Sequence, residues 1–179
     1  MTDSISPDLI EEWITWLRDC AAAAKRFMAE DAVPVATEEE RQLVSIKMAL
    51  YARALSLFEG SLLFIENDRQ LDFRIHSRGV IEAAMYLIAL DRSPSFVDKM
   101  KDDDWKSRQK RAKLHLDAND FRGTPDVRDM LEGFVAQGLQ GARGIELGSL
   151  LEGSDFERIY RSYRNISGDA AHVSIVSVR

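Results

Sequence analysis

The sequence predicts an all-α protein, a single-domain bundle of about six or seven helices built around one long central helix. Two observations favour this fold class. Helix start signals recur along the chain, and apolar residues repeat every three to four positions in the segments that follow them. With 179 residues, 45% hydrophobic and 30% charged, the chain is long enough for a sizeable core. The predicted domain, 1–179, comprises an N-terminal helix and loop, 1–36, and the bundle itself, 37–179.

The start signals are hydroxyl side chains that directly precede predicted helices. Three are followed by proline, whose fixed φ suits the first helical position: Ser6-Pro7, Ser93-Pro94 and Thr124-Pro125. Two have capping-box spacing, in which a hydroxyl and a carboxylate each accept the other residue's backbone N–H: Thr37 with Glu40, and Ser154 with Glu157. They predict helices over 6–30, 37–67, 93–117, 124–136 and 154–166. A sixth helix over 69–91 and a short last one from about Asp169 complete the bundle.

The second predicted helix has apolar residues on two stripes, so we expect neighbours on two of its sides. One stripe consists of Leu43, Ile46, Leu50, Ala54, Leu57 and Phe64, and the other of Met48, Tyr51, Leu55, Phe58, Leu62 and Ile65. At about 30 residues this helix spans about 45 Å, which sets the long dimension of the bundle. The glycine-containing segment 137–149 is predicted to be the one loose region.

Composition bounds the functional class. A net charge of −6 disfavours a generic nucleic-acid coat protein, although a local basic patch is compatible with it. Cys20 is the single cysteine, so no intrachain disulfide or cysteine-based zinc site is expected, and a reducing compartment is indicated. The N-terminus is polar and acidic, unlike a signal peptide, and the longest apolar run, 83–90, is far shorter than a membrane span. We therefore predict a cytoplasmic protein without a membrane partner.

Arg78 and Glu82 lie four residues apart and so share one face of the third predicted helix. The apolar residues around them predict a largely buried helix, on which a charge pair is either a structural ion pair or part of a site. Glu59 is a further candidate partner for Arg78. A structural clasp and the wall of a ligand site both remain open, as does an exposed pair.

The densest group of polar side chains lies near the C-terminus. Tyr163, Ser167, His172 and Ser174 combine a phenol, hydroxyls and an imidazole around a Ser-Gly-Asp break in the last helices. His172 is a candidate general acid or base, which Ser167, Ser174 and Tyr163 would orient, or they would bind an anion. The alternative interpretation is a capping and packing cluster. No nucleophile elbow accompanies the group, so serine-hydrolase chemistry is disfavoured.

Two further patterns carry little functional signal. Asp72 and His76 have the spacing of a metal-binding pair, but no second such pair exists, so we predict no metal and no cofactor. The basic run 106–113 follows three aspartates, 102–104. It predicts either a phosphate-binding stretch or, more simply, a solvated helix with ion pairs four residues apart.

Residues 40–179 resemble a bacterial domain-of-unknown-function family, number 5677. Arg78-Gly-Val-Ile-Glu82 is similar to the Arg-x-x-x-Glu helix of that family, and the group Tyr163, Ser167, His172 and Ser174 is similar to its Tyr-x-x-x-Ser...His-x-Ser segment. The separation of Ser167 and His172 is one residue longer than in the family pattern, and family members usually continue beyond the position of Arg179. The resemblance implies an all-helical fold and no particular activity.

A second resemblance is to HEPN-domain ribonucleases, small helical bundles that pair Arg-Asn with a nearby histidine. Arg164-Asn165 followed by His172 is similar to that motif, although the intervening segment is longer than usual. The resemblance implies a metal-independent homodimeric enzyme in a toxin or phage-defence setting. It also implies that His172 and Arg164 act on the 2′-hydroxyl and scissile phosphate of RNA.

Three function classes therefore compete. A HEPN-like nuclease requires Arg164 and His172 to converge near a basic surface. A module that binds a small molecule or an anion requires His172 to face Arg78 in a pocket. A structural or partner-binding module requires both motifs to be packed and hydrogen-bonded without a cavity.

Overall fold

A computed structural model describes residues 6–30, 34–118, 121, 123–138 and 144–170. Within these residues it contains seven helices and no strand, which confirms the predicted all-α class. The helices are α1 (Pro7–Glu30), α2 (Glu38–Glu66), α3 (Gln70–Arg92), α4 (Phe96–Asp117), α5 (Pro125–Ala136), α6 (Leu147–Leu150) and α7 (Glu157–Ala170).

The helices fall into two compact units. One unit contains α1, α2, α3, α6 and α7, and the other contains α4 and α5. In the second unit, the ring of Trp105 packs edge-on against Phe134 at a centroid distance of 4.7 Å, and Gln109 donates to the Phe134 carbonyl. The candidate site residues that the structure describes lie in the first unit. The single domain over 1–179 stays a prediction.

In the first unit, α1, α2 and α3 run alternately in opposite directions. Arg18 of α1 binds Glu66 at the far end of α2 at 2.6 Å, and Lys47, near the start of α2, binds Asp91 near the end of α3 at 3.2 Å. The α2 helix therefore lies between α1 and α3, which confirms the neighbours predicted from its two apolar stripes.

The α2 and α3 helices approach each other closely at Gly60. A Cβ atom at this position would lie 2.7 Å from Cδ2 of His76. The imidazole is held there by a hydrogen bond from Nδ1 to the Asp72 carbonyl at 3.0 Å and by edge-on packing against Phe64. His76 is therefore a packing residue of the α2–α3 interface.

Replacing Gly60 with alanine is expected to destabilise the protein. Alanine favours a helix by about 1 kcal/mol, but overpacking against the His76 ring costs about 1–3 kcal/mol. Urea denaturation should show a lower midpoint for Gly60→Ala, and this loss should be smaller when Gly60→Ala is introduced into a His76→Ala background. Gly133→Ala is the matched control, because a Cβ in this α5 position meets nothing within 4 Å. Equal midpoints for the two glycine variants would contradict the close approach.

Two of the predicted start signals form as expected. Thr37 and Glu40 make both hydrogen bonds of a capping box, each 3.1 Å long, and the Ser6 hydroxyl accepts the Leu9 N–H at 3.3 Å. Thr124 occupies the N-cap position ahead of Pro125, but its side chain makes no capping bond.

The other two signals differ from the prediction. Ser93 lies in a turn whose carbonyl accepts the Phe96 N–H, so α4 begins three residues later than predicted. The Ser154 hydroxyl donates to the Leu151 carbonyl at 2.6 Å, and its capping box with Glu157 does not form. The Ser154 oxygen accepts the Phe156 N–H at 3.3 Å, so this hydroxyl caps the turn that precedes α7.

The Ser167-Gly168-Asp169 break was also predicted wrongly, because α7 continues through it to Ala170. A helical glycine costs only about 1 kcal/mol relative to alanine, and the packing of α7 against α3 exceeds that penalty. The short helix α6 lies at the edge of the segment predicted to be loose, where Leu147 and Leu150 pack on the core. The predicted last helix lies largely outside the described residues.

By length and composition alone, α2 is long and apolar enough to cross a bilayer, and it is the one such helix among the described residues. A single helix of this kind is weak evidence of a membrane span, since central helices of soluble bundles meet the same criterion. The absence of a membrane partner and the cytoplasmic location stay predictions.

Candidate functional site between α3 and α7

The candidate site rests on a core formed by α3, α6 and α7. Met85 and Leu151 are fully buried, and Tyr163 is 6% exposed. The half-buried apolar residues packed around them are Ile81, Ile88, Leu147, Leu150, Ile159 and Tyr160. Because Tyr163 belongs to this core, its position against α3 is fixed.

The α7 helix runs antiparallel to α3. At one end, Arg92 of α3 donates to the backbone carbonyls of Leu150 and Glu152, both at 3.3 Å, just before α7 begins. Two turns into α7, Tyr163 meets Arg78, which lies nearer the start of α3. The C-terminal part of α7 therefore extends towards the first turns of α3.

Arg78 is held by the aromatic side chain of Tyr163. Its Nη2 atom donates to the phenol oxygen at 3.3 Å, and its Cζ atom lies 5.5 Å from the centroid of the same ring. Tyr160 stacks beside Tyr163 at 6.1 Å. The contacts that position the half-buried guanidinium are thus a hydroxyl and a ring face, neither of which neutralises its charge.

Two polar atoms near this contact lack partners among the described residues. Arg78 Nε and Ser167 Oγ are both buried and make no hydrogen bond. Ser167 lies one turn after Tyr163 and so shares its face of α7. A buried donor without a partner costs about 1–3 kcal/mol, and a planar guanidinium suits the oxygens of carboxylates and phosphates. The arrangement is therefore suited to an anion.

Of the alternatives left open for Arg78 and Glu82, an ion pair between the two is not found among the described residues, whereas Arg78 does contact Tyr163 near the C-terminus. Glu82 is half-buried, and no cationic side chain of the described residues lies within ion-pair distance of it. The Arg78 guanidinium points instead towards α7, where Tyr163 supplies both a hydrogen-bond acceptor and a ring face.

Glu59, the further candidate partner for Arg78, binds a different side chain. Its carboxylate binds Lys25 of α1, and both side chains are partly exposed. The physical reason is the direction that each side chain takes from α2. Gly60 faces α3, whereas the adjacent Glu59 faces α1, so Glu59 and Arg78 lie on different sides of α2.

The solvent-facing side of α7 has a basic stripe that consists of Arg158, Arg161 and Arg164. All three side chains are exposed, and none forms an ion pair with a carboxylate of the described residues. Their spacing of three residues separates them by roughly 4.5 Å along the helix axis. We call them the α7 arginine stripe.

The sequence-based prediction named Arg164 but missed the rest of this stripe. The missed signal is an arginine at every third position from 158 to 164, with no acidic residue between them. Tyr163 contacts α3, whereas Arg164 is exposed to solvent, so Arg164 is not part of the contact between α3 and α7. His172 and Ser174 lie outside the described residues, as does any approach of His172 to Arg164 or Arg78.

The described residues contain no cluster of three or more His, Cys, Asp and Glu side chains placed to bind a metal ion. Asp72 instead pairs with Arg69 at 2.7 Å. In the basic run of α4, Arg108 pairs with Asp104 at 2.8 Å, as the solvated-helix interpretation expects.

No protein-family model matches the chain, and neither a curated protein nor a solved structure shows significant similarity to it. The resemblances to the domain-of-unknown-function family and to HEPN ribonucleases therefore stay predictions from the short motifs themselves.

Proposed function

We propose that the protein binds RNA on the α7 arginine stripe and cleaves it as a HEPN-like, metal-independent ribonuclease. The observation that carries this proposal is the exposure of Arg158, Arg161 and Arg164 on one helix without ion-pair partners among the described residues. Arginine is suited to this role because its planar guanidinium binds two phosphate oxygens at once.

Because the whole chain has a net negative charge, a local stripe of cations indicates where RNA would bind. At a net charge of −6, the average surface repels a phosphate backbone. Binding therefore requires a place where cations are concentrated and are not already neutralised. The α7 arginine stripe meets this requirement. In the basic run of α4, Arg108 is paired with Asp104, and the exposed Lys110 and Arg111 serve as the comparison in the binding test.

The proposed reaction assigns separate roles to Arg164 and His172. The His172 imidazole removes the proton from a ribose 2′-hydroxyl, and the resulting oxygen attacks the adjacent phosphorus. The bond from phosphorus to the 5′-oxygen breaks, and that oxygen takes up a proton. Arg164 stabilises the negative charge that develops on the phosphoryl oxygens. The products are a 2′,3′-cyclic phosphate and a free 5′-hydroxyl.

RNA binding provides the direct test of the stripe. Fluorescence anisotropy with a labelled single-stranded RNA should show salt-dependent binding to the unmutated protein. In the Arg158→Gln/Arg161→Gln variant, the slope of log K against log salt should fall by about 1.4, because about 0.7 is lost for each phosphate contact.

The matched control is Lys110→Gln/Arg111→Gln, which removes two exposed cations from α4. It should leave the slope unchanged. An equal loss in both double variants would mean that only net charge matters, and that the stripe is not the binding surface.

A second candidate function is anion binding between α3 and α7, without catalysis. The observation that favours it is the pair of buried, unpartnered atoms, Arg78 Nε and Ser167 Oγ. The unmutated protein would then bind no RNA, yet inorganic phosphate or a small carboxylate would raise its melting temperature.

A further inference from the structure

One side of α1 carries large apolar side chains that the described chain leaves about half exposed, although Phe27 packs edge-on against Tyr51 of α2. Leu9, Trp13, Trp16 and Phe27 are between 43% and 56% exposed. At 3.6 residues per turn, these four positions fall on one face, beside the face through which Ala21 packs inwards. We call them the α1 stripe. The two tryptophan rings contact each other edge-on at 5.6 Å, which leaves more than half of each exposed.

The size of the α1 stripe is typical of an interaction surface. A buried aromatic residue covers about 150–250 Å², so the three half-exposed rings leave roughly 100 Å² each. With Leu9 and Ile10 the total is on the order of 400–500 Å². That is at least half of the about 800 Å² that each partner contributes to an ordinary protein–protein interface.

Charges beside the stripe favour a protein partner over a lipid surface. Helices that lie on membranes have Lys and Arg on their polar faces. The flank of α1 next to the stripe instead carries Asp8, Glu12 and Asp19, with Arg26 as its single cation. Anionic lipid would be repelled along most of this flank.

The charges on this flank are complementary to those on the same flank of a second α1 helix that runs in the opposite direction. Arg26 lies near one end of the stripe, and Asp8 and Glu12 lie near the other end. Arg26 and Glu12 are both exposed and form no ion pair with the described residues. When two identical helices pair antiparallel about a twofold axis, the same flank of each faces the other. Arg26 of each copy then lies beside Asp8 and Glu12 of the second copy.

We propose that the α1 stripe is the contact surface between two copies of this chain, with their α1 helices antiparallel. Full overlap of the two stripes puts the twofold axis near residue 18, midway between Leu9 and Phe27. Cys20, half-buried and on the stripe face, then lies within a turn of the axis. Asp19 lies on the acidic flank beside the axis, so it faces Asp19 of the second copy. This contact between like charges opposes the pairing.

Sedimentation equilibrium of the full chain tests the proposal directly. The unmutated protein should form a dimer at micromolar concentrations, and Trp13→Ser/Trp16→Ser should weaken it at least ~30-fold without changing the helical content. Leu114→Ser removes an apolar side chain that is 70% exposed on α4, and it should leave the dimer unaffected. A monomer at all concentrations, or a dimer that tolerates the tryptophan changes, would overturn the proposal.

Three further changes test the antiparallel pairing. Arg26→Glu should weaken the dimer, the combination Glu12→Arg/Arg26→Glu should restore it, and Asp19→Asn should tighten it. A short bismaleimide should cross-link Cys20 of one copy to Cys20 of the other, in the unmutated protein and not in the tryptophan variant. A dimer without this cross-link, or with no rescue by the charge exchange, would contradict the pairing. If the protein is instead a monomer that binds neutral lipid vesicles through the tryptophans, the partner of the α1 stripe is a membrane and the dimer proposal is wrong.

Discussion

Replacing Met85 with alanine is expected to lower the free energy of unfolding by about 2–5 kcal/mol. Met85 is fully buried and packs in one cluster with Leu151 and Tyr163. Removing its side chain leaves a cavity where α3, α6 and α7 meet, and the loss includes both the burial of the thioether chain and its contacts around the cavity. Urea denaturation, followed by circular dichroism at 222 nm, measures the change.

Met130→Ala is the matched control for this prediction. Met130 lies on α5 and is 64% exposed, so the same chemical change should alter stability by no more than about 0.5 kcal/mol. Similar losses in the two variants would mean that the α3–α6–α7 cluster is not a tightly packed core. The position of Tyr163, and with it the candidate site, would then lose its physical basis.

Replacing His172 with alanine is expected to reduce RNA cleavage by about 10²–10⁴-fold while the melting temperature stays unchanged. The reason is chemical: within the proposed reaction the imidazole moves the proton of the 2′-hydroxyl, and alanine has no group that can replace it. Gel analysis of a labelled RNA, with detection of the 2′,3′-cyclic phosphate end, measures the rate.

Two companion variants sharpen this experiment. Arg164→Ala should also reduce the cleavage rate, because in the proposed reaction this guanidinium stabilises the charge on the scissile phosphate. His115→Ala changes an exposed histidine on α4 and should leave the rate unaffected. If the unmutated protein cleaves no RNA over a range of sequences and structures, the nuclease hypothesis is wrong. Loss of activity in proportion to loss of folded protein would instead assign His172 a structural role.

The helix bounds were the feature best predicted from the sequence, since most helix starts depend on neighbours a few residues apart. The capping box of Thr37 and Glu40 needs no partner from elsewhere in the chain. The two apolar stripes of α2 likewise predict neighbours on two sides, because burial of both faces is favourable whichever helices supply it.

The site was harder to predict, because its long side chains have several partners within reach. The guanidinium of Arg78 extends far enough to meet Glu82, Glu59 or a residue of α7. The antiparallel packing of α3 and α7 brings Tyr163, 85 residues away in sequence, within 3.3 Å of it. Only the relative position of the helices decides between such partners.

The sequence by itself determined that the chain is helical and where most helices begin, because backbone dihedrals, capping bonds and apolar periodicity act over a few residues. The tertiary structure decided which faces those helices share. In it, Glu59 binds Lys25, Arg78 contacts Tyr163, and α7 continues past Gly168. Arg158, Arg161 and Arg164 of α7 are exposed to solvent in this structure, and so are Trp13 and Trp16 of α1. These outcomes follow from packing between residues far apart in sequence, whose free energies exceed the local preferences that a single segment expresses.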